Sequence, residues 1–397
     1  MSEIKNIPDG WVETTLGKII YFGNDKISVS ELNIENYIST ENLLSDKNGI
    51  VNSTILPNIP KVNKYEKEDT LFSNIRTYFK KVWYSDRIGG SSNDVLVFKS
   101  KDHNNLDKKF LYYFISSDLF IDFTVKSAKG TKMPRGDKNA MLLYNFNLPP
   151  LQEQQSIAQI LTSFDDKIQL LQAQNKTLET FAQTIFTEWF GKNNDKFIIT
   201  RLKDIISIRG GYSYKGNELG KGNSFLLGMG CVSNNNRFLL KGARLYSDDF
   251  PKTYLIQPGE IVLATRQQSE NLPILGYPAI IPKDFKGKSV LVGTNLYMVK
   301  NNSFLNNEIL FLLFKSEGYR NHILNNSKGT TVKMITKDSI ENFEFKMPTK
   351  DEIDKCQNLI IPLIDKLKTN EEQIQSLTKT RDALLPRLMS GEIRIKV

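Results

Sequence analysis

A chain of 397 residues has the length of two or three domains, and a 40% hydrophobic composition can furnish their cores. Two cysteines, Cys231 and Cys356, exclude a disulfide framework, and no apolar run reaches the ~20 residues that span a bilayer. The net charge of +9 suits a polyanionic partner. The start, Met1-Ser2-Glu3-Ile4-Lys5, lacks a basic-then-apolar leader, so a cytoplasmic protein is expected.

Residues 1–149 read as a first α+β domain. Strand signals stand at Leu71-Phe72-Ser73, Lys81-Val82-Trp83-Tyr84 and Asp94-Val95-Leu96-Val97-Phe98, and turn residues such as Asn48-Gly49 and Gly89-Gly90-Ser91-Ser92 punctuate the domain. One helix is predicted near Lys108 to Ser116. The loop Ser73 to Lys81 mixes cations, amides and aromatics. Arg76 suits guanine O6/N7 and Asn74 suits adenine, while Lys80 and Lys81 suit phosphates; Tyr78 joins the same candidate set. A later loop opens on Lys129-Gly130-Thr131-Lys132 and continues to Arg135. Its glycine permits close backbone approach, and Lys129, Thr131, Lys132 and Arg135 suit phosphate oxygens. For each of these residues a solvated loop is the alternative.

Pro149-Pro150 opens a long helix over 150–190. Ile157, Leu161, Phe164, Ile168, Leu171, Asn175, Leu178, Ala182 and Ile185 recur with alternating spacings of four and three, the mark of a coiled-coil seam with one polar slot.

Residues 191–347 then repeat the first domain. Lys129-Gly130-Thr131 recurs as Lys328-Gly329-Thr330, and Phe146, Leu148, Pro149 and Glu153 recur as Phe345, Met347, Pro348 and Glu352, each 199 positions on. Trp11 to Leu16 resembles Phe197 to Leu202, and Asn295 to Lys300 answers Asp94 to Lys99. A period this long marks two related domains rather than a solenoid. The second domain's candidates are Arg266, Gln267 and Gln268, with Arg266 aligned on Arg76, then Lys328, Thr330, Thr331 and Lys333. Tyr212, Tyr214, Lys215 and Arg237 lie in two further loops.

A second helix over 348–390 carries the matching seam Ile360, Leu363, Leu367, Asn370, Ile374, Leu377 and Leu384, with Arg381 in register, and 391–397 is a tail. Pro362 is expected to break or kink this helix. The two seams are expected to pack as an antiparallel coiled coil. A rod of ~35–40 Å is close to one turn of B-DNA, ~34 Å, so the packing could also serve as a ruler. The first helix holds two basic against five acidic residues and the second seven against seven, so the basic excess falls on the globular domains.

Catalytic signatures are missing from the sequence. It has no Gly-x-x-x-x-Gly-Lys-Ser/Thr loop, two histidines without zinc spacing (His103 and His322), and no Asn/Asp-Pro-Pro-aromatic motif. No metal site, no cofactor and no active site are expected in this chain.

The run Leu148-Pro149-Pro150-Leu151-Gln152-Glu153-Gln154-Gln155-Ser156-Ile157-Ala158 resembles the specificity subunits of Type I restriction-modification systems. So do Ile185-Phe186-Thr187-Glu188-Trp189-Phe190, Leu384-Leu385-Pro386-Arg387-Leu388-Met389-Ser390-Gly391-Glu392-Ile393 and the opener Pro8-Asp9-Gly10-Trp11. The second arm, Pro348-Thr349-Lys350-Asp351-Glu352, keeps only one proline and the acid. The resemblance implies two target recognition domains that read a bipartite, asymmetric duplex. It implies partners too: two modification subunits, which carry S-adenosylmethionine and methylate adenine, docked on the helices, and restriction subunits that use ATP and Mg²⁺. The competing readings are a DNA methyltransferase or fused restriction enzyme, and a coiled-coil protein adaptor.

Overall fold

Strand and helix alternate along the chain in the computed structural model, which describes residues 7–192, 195–267, 274–329 and 332–395. By contact the described chain falls into two units. The first joins 7–172 to 372–395, and the second is Ala173–Glu371. This differs from the sequence-based division at 149/150, 190/191, 347/348 and 390/391, because each unit takes part of both long helices.

In the first unit a four-stranded antiparallel sheet runs in the order Ile20–Phe22, Val95–Ser100, Thr70–Ser73, Val82–Tyr84. Phe72 and Phe98 on its central strands meet Phe120 edge-on, with ring centroids 6.3 and 6.2 Å away, the arrangement aromatic quadrupoles prefer. Helix Lys108–Ser116 starts where the Asp107 carboxylate accepts the Phe110 N–H at 2.8 Å. Ser117 ends that helix and caps Asp118–Lys126. A smaller sheet orders Lys26–Ser28, Lys61–Tyr65, Gly89–Ser91 and Tyr37–Ile38.

The second unit repeats the plan. Its sheet order is Ile206–Gly210, Leu296–Asn301, Ile261–Ala264, Pro278–Ile280, and Asn306 and Ser316 cap helices Asn307–Lys315 and Glu317–Asn325. Each unit closes with an antiparallel pair: Val12 stands opposite Leu148 in one and Ile198 opposite Met347 in the other. The repeat seen in sequence is therefore a repeat of strand register as well as of motif.

The long helices are Leu151–Phe190 and Lys350–Met389. In the first unit Ile157, Leu161, Ile168 and Leu171 are buried, and Phe164 is half-buried. Ile157 and Leu161 share a core with Leu385, Leu388 and Met389, while farther along Asp165 meets Arg381 at 2.6 Å, so the segments run antiparallel. Ile374, Leu377 and Leu384 are half-buried. Trp11 Nε1 donates to Glu153 at 2.9 Å, and Arg394 clamps the same carboxylate at 2.7 and 2.8 Å, which draws the tail into this unit.

In the second unit Asn370 is fully buried and its Nδ2 donates to Gln174 Oε1 and Asn175 Oδ1, both at 2.8 Å. Leu178, Ile185 and Leu363 are half-buried.

Two expectations for the second helix need correcting. Helix Lys350–Met389 runs through Pro362 unbroken. Proline removes one N–H from the ladder, and here it sits on the exposed side while Ile360 and Ile364 beside it are fully buried. The buried stripe in this half is Ile353, Cys356, Ile360, Ile364 and Leu367, with Leu363 at its edge. Ile353, Cys356, Ile360 and Ile364 share a core with Ile309, Leu312 and Phe314 of the globular part and with Ala182 and Phe186 of the facing helix, so a broader stripe than a two-helix seam is covered.

Candidate nucleic-acid interface

The two candidate loops of the first unit are one structure. The Gly136 N–H donates to the Asn74 carbonyl at 3.1 Å and the Arg76 N–H to the Pro134 carbonyl at 2.8 Å, while Lys129 and Arg135 exchange backbone bonds of 2.8 and 2.9 Å. A Cβ on Gly136 would stand 2.8 Å from Asn74 Oδ1 and overlap the Met141 methyl, so the ends of both side chains would have to shift to admit it.

The side chains separate into outward and inward sets. Arg76 is exposed, with left-handed backbone at φ 50° and Nη2 3.5 Å from the Lys132 carbonyl. Tyr78, Lys129, Thr131, Lys132 and Arg135 are also exposed. Lys129 pairs with Asp137 at 2.5 Å, and Arg135 holds Asp94 through Nε at 3.1 Å and Nη2 at 3.3 Å. Lys80 is half-buried, and its hydrogen bond to Asp118 (2.9 Å) raises its pKa.

Two assignments fail on burial. Asn74 is 5% exposed, so it cannot present its amide to adenine; its Oδ1 has no hydrogen-bond partner. Lys81 turns inward to the Thr40 carbonyl at 2.5 Å, and burial pulls its pKa down, which suits it poorly to a phosphate. The sequence did not single out Lys47, whose N–H donates to the Lys80 carbonyl at 3.0 Å. The Asn48-Gly49 turn was the one signal near it.

The second unit builds the same junction. Arg266–Gln267 pairs with Lys333–Met334, the Ile335 N–H donates to the Thr265 carbonyl at 3.0 Å, and Lys328 and Met334 exchange two bonds of 2.8 Å. These contacts correct the alignment of the two arginines. Ile75 bridges Arg135 and Arg266 bridges Met334, and Arg135 and Met334 are 199 positions apart, so Arg266 stands where Ile75 does. The counterpart of Arg76 is Gln267. One is exposed; the other is 8% exposed with an unpartnered Oε1.

Arg266 and Lys328 are exposed, and Lys333 is half-buried. Gln268, Thr330 and Thr331 lie outside the described residues. Tyr212 is half-buried and donates its N–H to the Val292 carbonyl at 2.7 Å, while Tyr214 is 39% exposed and Lys215 is exposed.

Arg237 is not a surface reader. It is 5% exposed, its guanidinium bonds Glu308, and it lies 4.5 Å from the Phe311 ring centroid. Burial alone would raise the Glu308 carboxyl; Arg237 and Lys368 (2.7 Å) outweigh it and hold that carboxyl below its usual range.

The described residues hold no group of three or more His, Cys, Asp or Glu placed to bind a metal. Both thiols are buried, Cys231 pushed up to about 12 and Cys356 to about 11 by that burial. His322 Nε2 makes a hydrogen bond of 2.8 Å with the Ser339 carbonyl, which ties two helices of the second unit together.

The family of the Type I restriction modification DNA specificity domain matches this chain twice, over residues 8–180 and 194–379. The chain belongs to that family. The Type I restriction enzyme MjaIX specificity subunit of Methanocaldococcus jannaschii is 26% identical over 311 residues, covering 72% of this chain and 69% of the relative. The HindI specificity subunit of Haemophilus influenzae is 23% identical over 475 residues, covering 96% and 99%. The crystal structure of the Type I S subunit from M. genitalium matches with a TM-score of 0.59 over 98% of each chain at 14% identity, a likeness of fold. The α+β architecture with two recognition domains is thus that of a specificity subunit, the non-catalytic DNA-recognition chain of its system. No helix among the described residues is long and apolar enough to cross a membrane.

Proposed function

We propose that this specificity subunit reads a bipartite, asymmetric duplex target in the cytoplasm, one half-site with each unit, and that its helical segments set the half-site spacing. The observation that carries the reading is the duplicated junction of basic loops, built on the same backbone contacts in both units but lined by different side chains. Equivalent scaffolds with unequal contact residues are what two unlike half-sites require. Two modification subunits would dock on the helices and supply S-adenosylmethionine and adenine methylation. Restriction subunits using ATP and Mg²⁺ would join for cleavage, and this chain would carry no cofactor of its own.

The test is methylation-sensitive sequencing of DNA from cells that carry this chain with its modification subunits. The expected result is one two-part motif with a fixed, non-specific spacer. Methylation by the purified chain alone would favour an enzyme instead. Partner binding that does not change with salt would favour a protein adaptor.

A further inference from the structure

Five non-glycine residues among those described hold left-handed backbone: Asp46, Lys47, Glu68, Arg76 and Lys80. All are in the first unit, and four of them belong to two turns that touch through the Lys47 N–H and the Lys80 carbonyl at 3.0 Å. Such conformations are unfavourable and persist only where the surroundings impose them. Backbone bonds from Arg76 to the Pro134 carbonyl (2.8 Å) and from Lys80 to the Thr77 carbonyl (2.9 Å) hold the second of these turns, and the exposed Asp118 carboxylate lies 2.9 Å from Lys80 Nζ and 3.6 Å from Lys47 Nζ.

The constrained backbone displays two aromatic rings. Between Arg76 and Lys80 the turn Thr77–Phe79 buries Thr77 and leaves Tyr78 48% and Phe79 39% exposed, with ring centroids 4.7 Å apart. Met133, 49% exposed, stands next to Pro134, whose carbonyl accepts the Arg76 N–H. The two loops that carry this apolar tip are rich in basic residues, of which Arg76 and Lys132 are exposed, while Lys80, Lys129 and Arg135 are paired with Asp118, Asp137 and Asp94. Residues 74–81 include three basic side chains and no acidic one, and residues 126–138 include five basic against one acidic.

We propose that Tyr78 and Phe79 form a wedge that enters the duplex at one base-pair step of the first unit's half-site, unstacking that step and kinking the DNA there. The inference rests on the DNA-reading function proposed above. A base step is apolar on its faces and anionic along its edges, which matches a pair of rings set among lysines and arginines. Wedges of this kind exchange base stacking for ring stacking and for the wider contact that bent DNA permits. The left-handed flanks hold the rings out before DNA arrives, so little ordering remains for the moment of binding. Arg76, at the edge of the same turn, is placed to contact a base edge beside the opened step.

The test uses the assembly of this chain with its modification subunits on duplexes bearing the mapped motif. Fluorescent base analogues are placed singly at each half-site position. Apart from the adenine that the modification subunits turn out for methylation, emission should rise several-fold at one step of the first unit's half-site on binding. The double variant Tyr78→Ala/Phe79→Ala should abolish that rise and weaken specific binding by roughly tenfold or more, with thermal melting unchanged because both rings are exposed. An abasic gap at that step, already unstacked, should return most of the lost affinity. Specific binding with flat emission at every position other than the methylated adenine overturns the wedge and leaves the DNA-reading function standing. A double variant that binds DNA normally but sheds its modification subunits in gel filtration overturns it too, by making the rings a protein contact. A wild-type assembly that discriminates no duplex from any other defeats the function and the wedge together.

Discussion

Arg237 and Arg266 look alike in the sequence, each an arginine in a polar loop, and burial assigns them opposite work. Arg237 is locked against Glu308 inside the second unit, so Arg237→Ala leaves a buried carboxylate with Lys368 as its remaining cation. Breaking a buried pair from one side should cost about 3–5 kcal/mol, seen as a lower midpoint in urea or thermal unfolding. The Glu308 carboxyl lies below its ordinary 4.5. Its pairing is therefore fully stabilising above that pH and is lost as pH falls through the lower folded value, where both states bind the proton. Unfolding midpoints measured from pH 6 downward should fall more steeply in the wild type than in Glu308→Gln; parallel curves would reject the linkage. Arg266→Ala should change unfolding by less than about 0.5 kcal/mol, and it should relax specificity by about 1–3 kcal/mol at one half-site in a binding-site selection. No local signal separates these arginines, because the acid that captures Arg237 lies 71 residues away in sequence. Loop composition misleads at Asn74 and Lys81 for the same reason: the loop is polar, but Gly136, which covers Asn74, and Thr40, whose carbonyl takes Lys81, lie far away in sequence.

At the scale of elements much more was legible. Strand positions follow from short β-branched and aromatic runs, and helix Lys108–Ser116 lies where the sequence placed it. Local patterning decides such elements, since each buries one face with its own period. The long helices were legible as stripes, and the helix does not break at Pro362 because burial of Ile360 and Ile364 outweighs one missing ladder bond. Asn370 is the informative polar position. Its Nδ2 is satisfied twice, whereas its Oδ1 has no partner. Asn370→Leu should therefore keep or raise the melting temperature while loosening the choice of register, since a seam asparagine trades stability for alignment. Hydrogen exchange over 350–371 should quicken in this variant even where the melt does not fall. A melt lowered by several degrees with exchange unchanged would show that the amide layer serves stability alone. Deleting one heptad from 172–180 alone removes Gln174 and Asn175 and strands Asn370, so a spacer-shortening deletion has to be matched in the second helix.

For the molecule as a whole, the repeat of 199 positions was visible early because both halves keep the same caps, turns and closing strands. The one-residue offset at the recognition junction was not visible, because the segments between Asn74 and Lys129 and between Thr265 and Lys328 differ in length and only backbone pairing fixes which rungs correspond. That offset gives the two-half-site reading a quantitative test. With Arg76 and Arg266 on neighbouring rungs of two separate units, Arg76→Ala and Arg266→Ala should each degrade discrimination at different base pairs. If each unit reads its own half-site without shared contacts, the losses should add in the double variant to within about 0.5 kcal/mol. Lys132→Ala, a loss of one exposed cation, should weaken binding to every sequence alike and reduce the salt slope by about 0.9 for one phosphate contact. Competition binding against a library of single-base changes, repeated at several salt concentrations, separates these outcomes. If both arginine variants lose selectivity at the same positions, or if their losses depart from additivity by more than about 1 kcal/mol, the units are not independent readers and the spacing cannot be assigned to the helical segments alone.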